Sequence, residues 1–266
     1  MPSKRRELAA AVGSGNDSKP SRNPARATDR RLGNIASKSL AASLATSYAT
    51  SLSTIEGGHM AEPQIILVTG ATGRIGAATA RTLAAQGHHV VLGARRIERL
   101  VLLAAEIRAA GGSVECHVLD VTDPDDAQTF VLGAFHRHGR IDALVNAAGV
   151  AAPSRLDALK LLEWDRMLDV NVRGALYAIA AVLPLMQRAG AGHVVALASG
   201  AGIGPAHAVQ GASARALQAI AEALRQEEPD IAVSVIAPDL PGGAQAVAEA
   251  IGAALAHDVH DAHACA

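Results

Sequence analysis

The chain has 266 residues, 50% of them hydrophobic, which suits one large folded domain with a substantial core. Its formal net charge of −1 gives no sign of nucleic-acid binding, and Cys116 and Cys265 are too far apart in sequence for a metal or redox pair, so we expect a cytoplasmic, reducing location. The most apolar stretch, residues 175–185, is shorter than a bilayer span and contains Pro184, so we expect no membrane segment.

Residues 1–59 differ in composition from the rest of the chain. They hold nine Lys/Arg against four Asp/Glu and show no sustained apolar period, which predicts a disordered, basic amino-terminal extension. Basic, Ser-rich tails occur as organelle transit peptides, but a leader, an expression scar or an overextended reading frame before Met60 would look the same. We therefore expect one folded domain over residues 60–266.

From residue 64 onward, strand-like apolar runs alternate with helix-length amphipathic segments. The predicted strands are 65–68, 89–93, 113–119, 143–146, 193–199 and 231–237. The predicted helices are 75–87, 97–110, 125–138, 161–186, 213–227 and 244–256. Such alternation predicts parallel strands joined by helices, and hence a single α/β domain with a doubly wound, Rossmann-type sheet.

A glycine-rich turn, TGATGRIG at 69–76, connects the first predicted strand to the first predicted helix. Glycines in such a turn let backbone N–H groups approach a pyrophosphate, and the positive end of the following helix faces that anion. By itself the turn is equally compatible with a purely structural strand-to-helix connection. The predicted cofactor-binding residues here are Thr69, Gly70, Gly73, Arg74, Ile75 and Gly76.

Two arginines, Arg95 and Arg96, follow the second predicted strand. Ligands of an open α/β sheet bind at the carboxyl ends of its strands, and a fold that selects NAD places an acidic residue near the ribose hydroxyls at this point. Two guanidiniums would instead bind the 2′-phosphate of NADP(H). The sequence therefore predicts NADP(H) as the cofactor.

The third and fourth predicted strands also end in segments suited to this cofactor. Asp120 and Val121 follow the third strand and would present a carboxylate and a backbone amide to adenine. Asn146, Ala147 and Gly149 end the fourth strand, where small residues let the chain pass close to a ribose. All five are predicted to bind the cofactor.

Together these motifs resemble the short-chain dehydrogenase/reductase family, classical type, from about residue 64 to 238. The resemblance rests on TGATGRIG, the ARR ending of the second strand, LDVTD at 119–123, NAAG at 146–149, DVNVRG at 169–174 and Ser199. It implies NADP(H) binding, hydride transfer to or from a small carbonyl or alcohol substrate, and a dimer formed through the helices near 161–186 and 213–227. The chain departs from the classical pattern in one place: the glycine that the pattern has at position 74 stands one residue earlier, at Gly73.

The resemblance implies four catalytic residues, of which two are present. Ser199 matches the serine that orients the carbonyl, and Asn171 matches the asparagine that anchors a water relay. Gln210 and Ala214 stand where the family has its proton-donating tyrosine and the lysine that assists it. An amide has no proton to give at a usable pKa, so we expect impaired turnover, or else a non-catalytic NADP(H) sensor or partner-binding pseudoenzyme.

No other residue in the sequence restores the missing pair convincingly. The two tyrosines are Tyr48, in the basic extension, and Tyr177, which we interpret as a packing residue. Arg215 is one position from the lysine site, and this turns it about 100° away around a helix. His207 titrates in the right range for a substitute acid, but an exposed loop histidine is the simpler interpretation.

The carboxyl end is shorter than the family pattern. Pro238 is followed by Asp239 rather than glycine, so we expect the substrate-covering segment and a final strand to be lost or reduced. His257, His260 and His263 recur every three residues and would cluster loosely on a helix, but a frayed polar terminus is the simpler interpretation. We therefore predict no metal site.

Overall fold

The structure is a computed structural model that describes residues 63–198 and 206–256. The basic extension, Ser199 and the three terminal histidines lie outside the described residues. What the sequence predicts for them, including the domain boundary near residue 60, stays a prediction.

Six strands form one parallel sheet. They are β1 (Ile65–Thr69), β2 (His89–Ala94), β3 (Ser113–Val118), β4 (Ala143–Asn146), β5 (Gly192–Leu197) and β6 (Ile231–Ile236). Their spatial order is β3-β2-β1-β4-β5-β6, and every neighbouring pair is parallel. This confirms the predicted doubly wound sheet, whose order reverses between β1 and β4.

Helices connect the strands and cover both faces of the sheet. They are α1 (Arg74–Ala85), α2 (Ile97–Ala109), α3 (Pro124–His138), α4 (Leu161–Leu168), α5 (Gly174–Ala189), α6 (Ala208–Glu227) and α7 (Gly243–Ala256). A 3₁₀ turn, Leu156–Ala158, precedes α4, and a π-helical turn, Asp169–Arg173, joins α4 to α5. The segment predicted as one helix over 161–186 is therefore helical throughout, but its hydrogen bonds change from the α to the π pattern over Asp169–Arg173 and then back.

The central strand β1 is buried on both faces, as its unbroken apolar run predicts. Ile66 and Val68 point toward a core layer shared with α1, α2 and α7, whereas Leu67 points toward a second layer shared with α3, α5 and α6. All three side chains are fully inaccessible to solvent. The two layers hold the strand ends rigidly, which is what positions the loops at the carboxyl edge of the sheet.

The segment Leu161–Ala189 is helical over 29 residues and is long and apolar enough, by length and composition alone, to cross a membrane. It is longer than the apolar stretch 175–185 identified in the sequence because the helix extends beyond that stretch at both ends. Its inward residues Val182 and Met186 are fully buried in the core layer beside β4 and β5. A core helix passes the same test of length and composition, and we interpret this segment as one.

Several element boundaries differ from those predicted, among them the start of α6 and the end of β5. Helix α6 begins at Ala208 rather than at 213, so Gln210 lies in its first turn. Strand β5 ends at Leu197, two residues before the predicted end. Gly211 lowers the helical preference of the segment that begins α6, and Ala198 lowers the strand preference after Leu197. Tertiary contacts override such local preferences.

The chain leaves β6 through residues 237–242 and enters α7 directly. Helix α7 packs against α1 and buries Val247, Ile251 and Leu255 in the same core layer. Within 63–198 and 206–256, β6 is one of the two edges of the sheet, and only Pro238 from this short connection lines the cavity described below.

Candidate cofactor and catalytic site

Two adjoining cavities lie along the carboxyl edge of the sheet. The smaller, of about 200 Å³, is bounded by residues that follow β1, β2, β3 and β4. The larger, of about 420 Å³, is bounded by the loop after β4, the π-helical turn and the start of α6. Residues 147–150 line both cavities, so the two form one cleft across the point where strand order reverses.

The glycine turn brings the ends of β1 and β4 into direct backbone contact. Gly70 has a φ of +64°, and a Cβ atom there would lie 2.5 Å from the Cα atom of Ala148. The carbonyl oxygen of Gly70 accepts a hydrogen bond from the Gly73 amide at 2.9 Å. A Cβ atom added at Gly76 would lie only 2.5 Å from that same oxygen. Only glycine fits positions 70 and 76, as the motif predicts.

We expect Gly70→Ala to destabilise the domain more than Gly190→Ala. Both glycines have nearly the same left-handed backbone, with φ of +64° and +65°, but nothing lies within 4 Å of a Cβ at Gly190. The shared conformational cost is about 1–2 kcal/mol. Overpacking against Ala148 adds about 1–3 kcal/mol in the Gly70 variant alone. Urea unfolding of the two variants measures the difference, and equal losses of unfolding free energy would contradict the close approach.

Thr69 and Asn146, both predicted to touch the cofactor, lie beneath the cleft instead of lining it. The Thr69 hydroxyl accepts a hydrogen bond from the Ala148 amide at 3.3 Å and thereby ties the two strand ends together. Asn146 is 5% exposed, and its side-chain nitrogen has no hydrogen-bond partner among the described residues. Thr69 thus supports a residue that lines both cavities, and cofactor binding by either residue stays a prediction.

Arg95, Arg96 and Asp120 meet at the smaller cavity. Neither guanidinium makes a hydrogen bond or ion pair with any residue in the described part of the chain. The carboxylate of Asp120 accepts hydrogen bonds from the amide and hydroxyl of Thr122, at 3.0 and 2.8 Å. Burial opposes ionisation of Asp120, but these bonds and the charge of Arg95 outweigh it and hold its pKa below the ordinary value. An oriented anion and two available cations thus face one small cavity.

All but one of the remaining predicted cofactor residues line one or both of the two cavities. Gly70, Gly73 and Val121 line the smaller one, Ile75 lines the larger one, and Ala147 and Gly149 line both. Arg74 is exposed at the first position of α1 and lines neither. No side chain caps the first turn of α1, so its backbone N–H groups are available to an anion.

Asn171 projects from the π-helical turn into the larger cavity. Its side-chain oxygen accepts a hydrogen bond from the Val150 amide at 2.8 Å, and its nitrogen donates to the Val150 carbonyl at 2.9 Å. The same nitrogen donates to the hydroxyl of Ser213 at 3.2 Å. The π-helical turn therefore positions the Asn171 amide across the gap between the β4 loop and α6, and such turns often mark functional positions.

Ser213 is a site residue that the sequence did not indicate. It is 1% exposed, accepts from Asn171, and donates to the carbonyl oxygen of Gln210 at 2.8 Å. A serine that returns a hydrogen bond to its own helix three residues back is common and carries no functional signal in sequence. Its contact with Asn171, 42 positions away, could not be read from local pattern.

Gln210 and Ala214 lie one helical turn apart on α6 and both line the larger cavity, beside Asn171. His207 lines the same cavity just before α6, so it is closer to the site than a purely exposed loop histidine would be. Arg215 is exposed, as expected from its position on the helix. Tyr177 packs partly buried against the core beside α3, also as expected.

The family model for short chain dehydrogenases matches residues 64–249. An oxidoreductase of Staphylococcus saprophyticus is 39% identical over 183 residues, which are 68% of this chain and 74% of the relative. An oxidoreductase of Listeria innocua is 41% identical over 166 residues, covering 62% of this chain and 67% of the relative.

Solved structures give the same result. A metagenomic short-chain oxidoreductase in complex with NADP is 35% identical, with a TM-score of 0.67, and the match covers 74% of this chain and 92% of that one. An alcohol dehydrogenase from the archaeon Thermococcus sibiricus, complexed with 5-hydroxy-NADP, is 28% identical, with a TM-score of 0.69 and coverage of 74% and 92%. These relatives hold the type of cofactor that the sequence predicts.

Proposed function

This chain belongs to the short-chain dehydrogenase/reductase family, and on that basis we propose that it is an NADP(H)-binding oxidoreductase homologue with impaired turnover. Its nominal reaction would interconvert a small carbonyl compound and its alcohol by hydride transfer. The observation that carries the proposal is the position of Gln210 and Ala214. Both line the larger cavity beside Asn171, where the family resemblance places the tyrosine and lysine.

The smaller cavity suits the adenosine end of NADP(H). Gly70 and Gly73 leave backbone exposed at the start of α1, where a pyrophosphate is favoured. Arg95 and Arg96 would bind the 2′-phosphate, and the oriented carboxylate of Asp120 would accept a hydrogen bond from the adenine amino group. The two relatives described above, crystallised with NADP and with 5-hydroxy-NADP, support NADP(H) as a cofactor, and the two arginines favour it over NAD(H).

The larger cavity would hold the nicotinamide end and the substrate. The nicotinamide supplies or accepts the hydride, and the protein must stabilise and protonate the oxygen of the substrate. Gln210 can donate a hydrogen bond to that oxygen but cannot transfer a proton at usable pKa. Ser199, from the sequence, would orient the carbonyl, and Asn171 would position water beside it. We therefore expect slow residual reduction that depends on proximity alone.

A second candidate is a non-catalytic NADP(H)-binding sensor or a pseudoenzyme that supports a partner protein. The contrast between the two cavities favours it: the smaller keeps its two arginines and its carboxylate, whereas the larger has lost its acid. Binding without turnover is the expected behaviour of such a site.

We also propose a cytoplasmic homo-oligomer. Leu162, at the start of α4, is 85% exposed, and Leu168 and Leu176 further along the same continuous helix are 41% and 40% exposed. Exposed leucines on a helix that the resemblance places at the dimer contact support that assembly.

The decisive experiment is a titration of the purified chain with NADPH and, separately, with NADH. We expect saturable binding, a higher melting temperature and enhanced nicotinamide fluorescence with NADPH, and weaker effects with NADH. Reduction of small aldehydes and ketones should be slow or undetectable. Absence of binding to either nucleotide would overturn the proposed cofactor, and turnover at the rate of family members with an intact tyrosine and lysine would overturn the proposed impairment.

A further inference from the structure

Two histidines and a glutamate converge on the edge of the sheet, at the end opposite the cleft. His89 is the first residue of β2, Glu115 lies on β3, and His138 is the last residue of α3. The register pairs His89 with Ser113 and Val91 with Glu115, so His89 and Glu115 point to the same face of the sheet. One ligand atom from each of the two histidines and Glu115 lies within 4.8 Å of the others.

Of the two ring nitrogens of His89, one makes a hydrogen bond and the other has no partner among the described residues. Its Nδ1 atom lies 2.6 Å from the hydroxyl of Ser113. Its Nε2 atom is buried and has no hydrogen-bond partner among the described residues. Folded proteins normally avoid a buried polar atom of this kind, because it has lost water without gaining a partner. In metal sites a second hydrogen bond fixes the ligating imidazole in the same way that Ser113 fixes His89.

We propose that His89, Glu115 and His138 form a binding site for a divalent transition-metal ion of the zinc class, with water completing the coordination. Two imidazoles and one carboxylate are a ligand set that zinc accepts, in tetrahedral geometry. Adjacent ligand atoms in such a site are about 3.3 Å apart, given bonds of about 2.0–2.1 Å. The Nε2 atom of His138 is already 3.2 Å from an oxygen of Glu115. The other separations, none above 4.8 Å, would shorten when the ion binds.

Arg137 is the charge that competes with this ion. Its guanidinium donates to both carboxylate oxygens of Glu115, each at 2.9 Å, and lies 2.8 Å from the Nε2 atom of His117. The side chain of Arg137 is 41% exposed, so it can move into solvent when a cation binds. A carboxylate can also keep an arginine on one oxygen and a metal on the other. The carboxyl end of α3 carries the negative end of its dipole and favours a cation here.

The ion would join three elements that are far apart in sequence: β2, β3 and the end of α3. Strand β3 is an edge of the sheet, and its pairing with β2 is the contact that the ion would reinforce. The site lies at the amino end of these strands, whereas the cofactor cleft lies at their carboxyl ends. Its role is therefore stabilisation of the sheet edge and not catalysis.

The test is a titration of the chelator-treated full chain with Zn²⁺ alone, in a buffer that does not bind metals. We expect one saturable site with a dissociation constant in the micromolar range or below, and a melting temperature that rises with zinc concentration. His89→Gln and His138→Gln should each weaken this binding at least tenfold. His136→Gln is the matched control, because His136 is exposed in the same turn of α3 and lies outside the cluster.

Arg137→Gln provides an independent test that does not remove a ligand. It should strengthen zinc binding about tenfold or more, because the competing charge on Glu115 is gone. Circular dichroism without metal would identify any variant that fails to fold. The proposal is overturned if the full chain shows no saturable zinc binding, if His89→Gln and His138→Gln bind as the unchanged chain does, or if Arg137→Gln leaves the affinity unaltered.

Discussion

The double variant Gln210→Tyr/Ala214→Lys is expected to reduce small carbonyl compounds with NADPH about 10²- to 10⁴-fold faster than the unchanged chain. The two positions are one turn apart on α6, line the same cavity, and are neither fully buried nor fully exposed. A tyrosine at 210 would supply the missing acid, and a lysine at 214 would lower its pKa and bind the nicotinamide ribose. The rate of NADPH oxidation with a panel of aldehydes and ketones measures the gain.

The matched control is Gln210→Phe/Ala214→Lys, which adds the same ring without the hydroxyl group. It should show no gain in rate, since phenylalanine cannot donate a proton. Both double variants should nevertheless bind NADPH about tenfold to a hundredfold more tightly than the unchanged chain, because the lysine adds a charged hydrogen bond. This binding change is measurable without knowledge of the substrate. Equal turnover of the Tyr and Phe variants would show that the absent acid does not limit the reaction.

The second large effect is expected at the arginines that follow β2. Arg95→Ala/Arg96→Ala should weaken NADPH binding by a factor of about 10² or more, because each lost charged hydrogen bond to the 2′-phosphate costs about 1.5–3 kcal/mol. NADH affinity should stay nearly constant, since NADH lacks that phosphate. Nicotinamide fluorescence titrations at low and fixed salt concentration measure both affinities, because salt screens exposed charges.

Arg99→Ala is the matched control for this prediction. Arg99 lies on α2 close to the same two arginines, is exposed, and does not line the smaller cavity. Its removal changes the net charge without removing a proposed contact, so NADPH affinity should change little. If Arg99→Ala weakened NADPH binding as much as one of the two arginines does, general electrostatic attraction would explain the preference. An equal loss of NADH and NADPH affinity in the double variant would also refute recognition of the 2′-phosphate.

Much of the cofactor site could be predicted because it depends on residues that are close together in the sequence. The apolar run of β1, the glycines at 70 and 76, and the arginines at 95 and 96 all lie within a few residues of a strand end. Parallel connection then brings the strand ends to one edge of the sheet. The close contact between Gly70 and Ala148 explains why the motif needs glycine there, although the distance itself required the structure.

Other features depended on contacts between distant segments. The π-helical turn around Asn171, the buried Ser213 and the early start of α6 involve residues with ordinary helical patterns, so nothing local distinguishes them. Asn146 and Thr69 were predicted to bind the cofactor from their positions at strand ends; both side chains are buried, and the Thr69 hydroxyl accepts a hydrogen bond from the Ala148 amide. The alternation of side chains along a strand predicts which residues share a face of the sheet. The environment of the last residue of a strand depends on tertiary packing, which the local pattern does not give.

By itself, the sequence determined the alternation of strands and helices, the family and the cofactor type, because hydrophobic period, turn chemistry and motif spacing are properties of neighbouring residues. Only the tertiary structure decided which of the predicted residues line the cleft and which support it. It alone also brought His89, Glu115 and His138 together. These three residues are separated by more than twenty positions, and their meeting depends on the register of β2 with β3 and on where α3 ends, which long-range packing determines.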